Sequence, residues 1–312
     1  MAQTYLTLTN SVLARMNEVQ LTSSTFTSAR GIQIQAKNAI NEAIRYINQR
    51  EFNYPFNHST KTETLVPGTV RYSLPTDAKH ADYNTFRITK DTDLGTSGSS
   101  LTMLNYNEYV DKYISQEDDV TTTNLNGSLT DSATTITVNS TTGFSSSGTL
   151  HIANEQVTYT GTTSTTFTGV TRGANSTTAA AHADDVQVAE FDNGGVPLYV
   201  VRTLDNNYLL YPFPDKTYAL KYDYFTFTSD LSAQSDTPSI PDRFSPVIVD
   251  GATAFVYQYR GETSQYQLNF ARFEQGIKNM KSLLVNKYEY VRSTVLVHPT
   301  VTSNYFATAT VR

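Results

Sequence analysis

Five histidines, His58, His80, His151, His182 and His298, are the side chains best suited to hold a metal or move a proton near neutral pH. Two of them stand one residue away from an acid, in His80-Ala81-Asp82 and His182-Ala183-Asp184, a pairing that a metal site or a general base can use. Neither falls in an HExxH pattern, and polar turns account for both triplets more simply. Cysteine is absent, which excludes disulfides and thiolate ligands. No GxxxxGK[ST] or GxGxxG run offers a phosphate cradle, no GxSxG marks a hydrolase elbow, and Gly95-Thr96-Ser97-Gly98 reads as a loop. Paired carboxylates for glycoside cleavage are set by distance rather than spacing and stay open. Among 21 tyrosines, Tyr199, Tyr208, Tyr211, Tyr222 and Tyr224 could form a carbohydrate-stacking surface. Half-buried strands and subunit interfaces use tyrosine in the same way, and that reading is preferred. No catalytic residue, cofactor or metal ligand is assigned. The chain reads as a non-enzyme.

The function must then lie in what the elements build. Tyr266, Phe270, Phe273, Ile277, Met280 and Leu284 alternate spacings of four and three, which keeps one apolar stripe on a helix running from Glu262 to Tyr288. Gly261 separates it from what precedes, and Thr263 or Ser264 is placed to cap it. A preceding helix opens at Ser245-Pro246 and carries Val247, Ile248, Gly251, Ala252, Phe255, Val256 and Tyr259. Its small residues invite close approach of a neighbour. At the other end of the chain, residues 4–21 predict a helix capped by Thr9 or Asn10. A second helix is predicted from about Ser28 until Pro55 stops it. Both ends must meet to bury these stripes. The expected fold is therefore α+β, with a discontinuous four-helix bundle made from residues 1–55 and 239–289.

Between these ends the pattern changes to strands. Residues 56–119 and 191–238 predict one antiparallel β domain. It includes a Leu65–Leu74 hairpin around Pro67-Gly68, a short helix from Asn105 to Ile114, an Asn206-Asn207 turn and a long strand from Tyr218 to Phe227. Residues 120–190 differ in character, with few charges and short Val/Ile/Tyr alternations among Ser, Thr and Gly. They predict an inserted β-barrel or β-sandwich. Residues 290–312 form an extended C-terminal arm that lacks a core of its own. Its apolar positions, Val291, Leu296, Val297, Val301, Tyr305 and Phe306, need a partner to cover them.

The 312 residues carry a net charge of −6 with 17% charged residues, which argues against a dedicated nucleic-acid binder. No apolar run approaches the ~20 residues of a membrane span. The N-terminus shows no signal-peptide pattern, so a soluble chain made in a cytoplasm is expected.

Three stretches carry a resemblance. They are Leu8-Thr9-Asn10-Ser11-Val12-Leu13-Ala14-Arg15-Met16-Asn17-Glu18-Val19, the helix-forming run from Gly31 to Phe52, and Ile240-Pro241-Asp242-Arg243-Phe244-Ser245-Pro246 continuing to Ala252. Together they resemble the head-to-tail adaptor proteins of short-tailed bacteriophages, the group that includes tail tubular protein A. The segment Ile152–Asp185, with Tyr159-Thr160-Gly161 and Thr171-Arg172-Gly173-Ala174-Asn175, is similar to β modules of phage tail proteins. The resemblance implies a virion structural protein of the neck, assembled in the host cytoplasm. It implies a dodecameric ring joining the portal protein to the tail nozzle protein, with double-stranded DNA passing through without sequence-specific binding. The helical part would form the ring and the arm would reach the portal. Two alternatives remain: a receptor- or carbohydrate-binding tail component using the β insert, and a tail-borne cell-wall hydrolase.

Overall fold

The computed structural model describes residues 3–51, 53–90, 97–114 and 120–285. Among them are five α-helices: α1 Tyr5–Arg15, α2 Ile32–Arg50, α3 Tyr106–Tyr113, α4 Ser245–Arg260 and α5 Thr263–Leu284. The chain divides into two compact units, one from residues 1–58 and 225–312 and the other from residues 59–224.

In the first unit α1, α2, α4 and α5 contribute to one apolar core that includes Leu8, Val12, Ile40, Ile44, Ile47, Ile248, Val256, Phe273 and Met280. The fit of α4 against α5 is reciprocal. A Cβ on Gly251 of α4 would lie 2.6 Å from the Phe273 ring, and one on Gly276 of α5 would lie 2.9 Å from Val247. The small-residue face of α4 is thus filled from within the chain. Gly261, in the left-handed region at φ 78°, ends α4 and lets α5 begin two residues later.

The helix starts differ from expectation. Thr4, rather than Thr9 or Asn10, caps α1 by accepting the Thr7 amide at 3.3 Å. Thr9 is buried in the helix and donates to the Tyr5 carbonyl at 2.7 Å. The Asn10 side chain instead clamps the Leu21 backbone, donating to its carbonyl and accepting from its amide, both at 2.8 Å. That clamp keeps Leu21 in the core although α1 has ended at Arg15. The second helix begins at Ile32, not Ser28, because Gly31 immediately before it holds φ 54°. At α5 neither Thr263 nor Ser264 caps; Glu262 occupies the cap position without a side-chain hydrogen bond.

The strands are β1 His58–Leu65, β2 Arg71–Ser73, β3 Ala78–Ala81, β4 Arg87–Ile88, β5 Ser99–Ser100, β6 Thr102–Leu104, β7 Thr121–Asn124 and β8 Ile136–Thr137. They continue as β9 Gly148–Ile152, β10 Glu155–Tyr159, β11 Gly161–Thr162, β12 Thr166–Thr168, β13 Gln187–Glu190, β14 Tyr199–Arg202, β15 Asn207–Tyr211 and β16 Tyr218–Thr226. One sheet runs β1-β16-β4-β5, with β3 also on β16, and another runs β2-β15-β14-β6. Tyr218, Leu220, Tyr222 and Tyr224 all turn the same face of β16 into an apolar core shared with Phe86, Ile88 and Tyr208.

Two features of this region correct the sequence reading. Leu65–Leu74 is not a hairpin: β1 joins β16 while β2 joins β15, so the turn is a corner between two sheets. Gly68 makes that corner at φ 72°, where a Cβ would meet Ala189 Cβ at 2.7 Å. The β domain is also not wholly antiparallel, since β6 and β14 pair in parallel. The long crossover from residue 105 to residue 198, which holds α3 and the insert, permits that direction.

Within residues 120–190, one sheet runs β10-β9-β13-β7 and a second runs β11-β12-β8. Ile136 and Phe167 from the smaller sheet share a core with Leu150, Ile152, Val157, Tyr159 and Val188 from the larger. Among the described residues both sheets are open, and no closed barrel forms. Strands β7 and β13 lie side by side with Asn124 opposite Gln187 and Thr121 opposite Glu190, so the two ends of the segment are adjacent. Val120, Ala189, Phe191 and Phe213 form a separate apolar cluster beside them.

We expect replacement of residues 125–186 by a four-residue Gly/Ser linker to convert β7 and β13 into a hairpin and leave a folded chain. Loop closure depends only weakly on length, and the apolar cluster around Phe191 lies outside the removed residues. Circular dichroism and size-exclusion chromatography of the shortened chain provide the check. Insolubility would show that the segment is part of the host's core.

Candidate functional site

The residues singled out as chemically able are dispersed. His58 packs edge-on against Phe225. His80 is half-buried, and burial together with the nearby Arg202 charge lowers its pKa. His151 stacks on Phe191 at 4.0 Å between ring centres, and its Nδ1 is 3.0 Å from the Asp215 carbonyl. Its pKa is lowered chiefly by burial. These contacts use His151 to seat the β insert against the strand-turn that follows β15. His182 enters a different cluster, and His298 lies outside the described residues. Among the described residues no group of three His, Asp or Glu side chains has the arrangement of a metal site.

Of the five tyrosines considered as a carbohydrate surface, Tyr208, Tyr222 and Tyr224 are core residues. Tyr199 and Tyr211 are half-buried and pack beside α3, where Tyr113 stacks on Tyr211 at 4.0 Å. The rings therefore spend their faces on one another.

The principal polar constellation centres on Glu155, which sequence reasoning passed over. It begins β10, inward-facing in register with Val157 and Tyr159, and its side chain is 1% exposed. Oε1 accepts from Arg172 Nε at 2.7 Å and from the Gly173 amide at 3.0 Å. Oε2 accepts from Arg172 Nη2 at 2.7 Å, His182 Nε2 at 2.8 Å and the Ala180 amide at 3.2 Å. Arg172 also donates to the carbonyls of Thr130 and Ala180. Burial alone would raise the carboxyl pKa, but donation from Arg172, His182 and the two amides outweighs it and brings the value to about 2. One carboxylate thus pins residues 172–182, a segment without regular secondary structure over most of its length. The arrangement is saturated with donors. It leaves no free lone pair for a substrate, and its chemistry is that of a structural clamp.

The residues assigned to helix packing come together on α5. Phe273, Ile277 and Met280 are buried, Phe270 and Leu284 are half-buried against the same core, and Tyr266 stacks on Phe270 at 5.3 Å. At the edge of this core Glu274 accepts from Arg50 at 2.6 Å and from the Tyr46 hydroxyl, tying α5 to α2. The residues assigned to the arm, Val291, Leu296, Val297, Val301, Tyr305 and Phe306, lie outside the described residues. Among the described residues no helix is long and apolar enough to cross a membrane.

Comparison with curated proteins finds no match. The family described as SU10 adaptor protein matches residues 3–139 and 129–296, so both helical ends, the β strands and the insert all fall within it. This is a phage adaptor-type family of structural proteins, and such a protein is a component of the virion. A match of that extent settles the assignment: the chain belongs to the SU10 adaptor protein family.

Proposed function

We propose that the chain is a head-to-tail adaptor that assembles into a dodecameric ring, joins the portal protein to the tail nozzle protein and surrounds the path of the double-stranded genome. The observation that carries this reading is the family match over nearly the whole chain, from residue 3 to residue 296. The likeness to tail tubular protein A in the stretches around Leu8, Gly31 and Ile240 points the same way. The small-residue face of α4 does not support ring packing, because Phe273 fills it within the chain. Lateral contacts are better sought on exposed residues of the helical unit, such as Tyr259, Leu268 and Leu283, which are 65%, 51% and 73% exposed. Electron microscopy of the purified chain, alone and mixed with portal rings, tests the proposal. Rings of one size that cap the portal are the expected result. A chain that stays monomeric in both conditions and never binds the portal would overturn it.

The portal contact is assigned to the C-terminal arm. Apolar anchors at Val291, Leu296, Val297, Val301, Tyr305 and Phe306 alternate with polar residues, as an extended segment docking by backbone pairing requires. Truncation after Glu289 is expected to leave thermal unfolding nearly unchanged, since the helical core built by the described residues already spans α1, α2, α4 and α5. Co-sedimentation with portal rings should be lost. If binding survives truncation, the docking surface lies elsewhere.

A further inference from the structure

The sheet β1-β16-β4-β5 carries an unusual pair on the face away from its core. Leu220 and Ile88 are directly opposite each other and buried, so their neighbours Lys221 and Arg87, also directly opposite, turn to the other face. Directly opposed side chains on neighbouring strands have Cβ atoms only about 4.5–5.5 Å apart, and like charges there are destabilising. Among the described residues no carboxylate pairs with either cation. The nearest acid on that face of β16, Asp223, is two residues further on and accepts from the Thr60 hydroxyl at 2.7 Å. Lys90 adds a third positive charge beside them. These three side chains, with Thr89, Gly98, Ser99 and Ser100, line a shallow open groove of about 350 Å³. Ser100 lies directly opposite Arg87 and shares the cations' face, whereas Ser99, opposite Ile88, turns to the other one.

We propose that this groove binds the phosphodiester backbone of nucleic acid without reading its sequence. A phosphate between Arg87 and Lys221 would turn their mutual repulsion into attraction to a shared anion, and the exposed Ser100 opposite Arg87 supplies a hydroxyl of the kind that accompanies phosphate contacts. An acidic protein surface would satisfy the same charges. Protein interfaces, however, are enriched in aromatic and Met side chains and poor in Lys, whereas this lining offers cations, hydroxyls, glycine and one aliphatic residue. The chain as a whole carries net charge −6, so attraction is confined to this groove and the contact is local. Two or three neutralised phosphates correspond to a slope of roughly −2 to −3 in log affinity against log salt. The inference rests on the virion reading only for the source of the nucleic acid.

The test is fluorescence anisotropy of the full chain with labelled duplexes of two unrelated sequences, across a series of salt concentrations. Equal affinity for both duplexes is expected, with that salt slope. Arg87→Gln combined with Lys221→Gln should weaken binding by at least roughly tenfold and flatten the slope. The same double variant should melt no lower than the parent, because it removes a repulsive pair. The inference is overturned if low salt reveals no binding, if the double variant binds as the parent does, or if poly-glutamate competes better than DNA through these two residues. Ring assembly on portals is scored separately. A variant that assembles normally but fails to bind DNA supports the inference; a parent chain that assembles and never binds DNA sinks it while leaving the adaptor reading intact.

Discussion

Phe273→Ala is expected to destabilise the helical unit by about 3–5 kcal/mol, the range for deleting a buried aromatic side chain. Phe273 is fully buried, and its ring covers Gly251 of α4 while packing with Tyr46 of α2 and Phe255 of α4. Removing the ring therefore opens a void where three helices meet. Against a typical total of about 5–15 kcal/mol, that is a large fraction. Urea unfolding of parent and variant measures it. A change below about 0.5 kcal/mol would mean that the ring does not sit in the core.

The same contact predicts a coupling. Gly251→Ala alone places a Cβ 2.6 Å from the Phe273 ring and should be destabilising. In the Phe273→Ala background that Cβ enters vacated space, so its effect should shrink or reverse. The two changes share one site and should be non-additive. Additive effects would show that the helices shift apart to accommodate either change.

The helices were legible because an apolar stripe recurs every three to four residues regardless of what covers it. Their starts were less so. Residues 4–10 contain Thr4, Thr7, Thr9 and Asn10, all able to cap, and only the fold shows that Thr4 does so while Asn10 reaches Leu21. The alternation along β16 told which residues face inward, but not which strands flank it. The partner of β2 is β15, more than a hundred residues away, and a Pro-Gly turn next to alternating residues suggests a hairpin whether or not the chain takes a corner. Positive φ at Gly68 was signalled; the approach of Ala189 that makes glycine necessary there was not. The parallel β6–β14 pair was hidden for the same reason, since direction depends on where a long crossover returns.

The clamp around Glu155 was hidden differently. Its one local signal is a glutamate in the inward register of a strand otherwise occupied by Val157 and Tyr159. A charge at a core-facing position demands a partner, and the chain supplies Arg172 seventeen residues later and His182 ten beyond that. His182 was read as a polar turn residue, and Arg172 only as part of the stretch that resembles phage β modules. Nothing in their spacing announces that they converge.

That convergence sets the last expectation. Glu155→Ala would leave the Arg172 guanidinium, with a side chain 7% exposed, without its carboxylate, along with the amides of Gly173 and Ala180. Breaking a buried ion pair from one side costs about 3–5 kcal/mol, mainly from the charge left behind. The loss should appear as faster amide exchange at Gly173 and Ala180, and throughout residues 172–182, with α4 and α5 unaffected. Acid should imitate the substitution. The folded-state pKa of about 2 lies below the ordinary 4.5, so the stabilisation is complete above pH about 4.5. As the pH falls from there, the unfolded chain takes up the proton first, and the contribution disappears as pH approaches about 2. Glu155→Ala should flatten this acid limb in exchange measured between those values. An unchanged limb would mean that other carboxylates govern acid unfolding, and unchanged exchange at neutral pH would mean that Glu155 does not hold the segment.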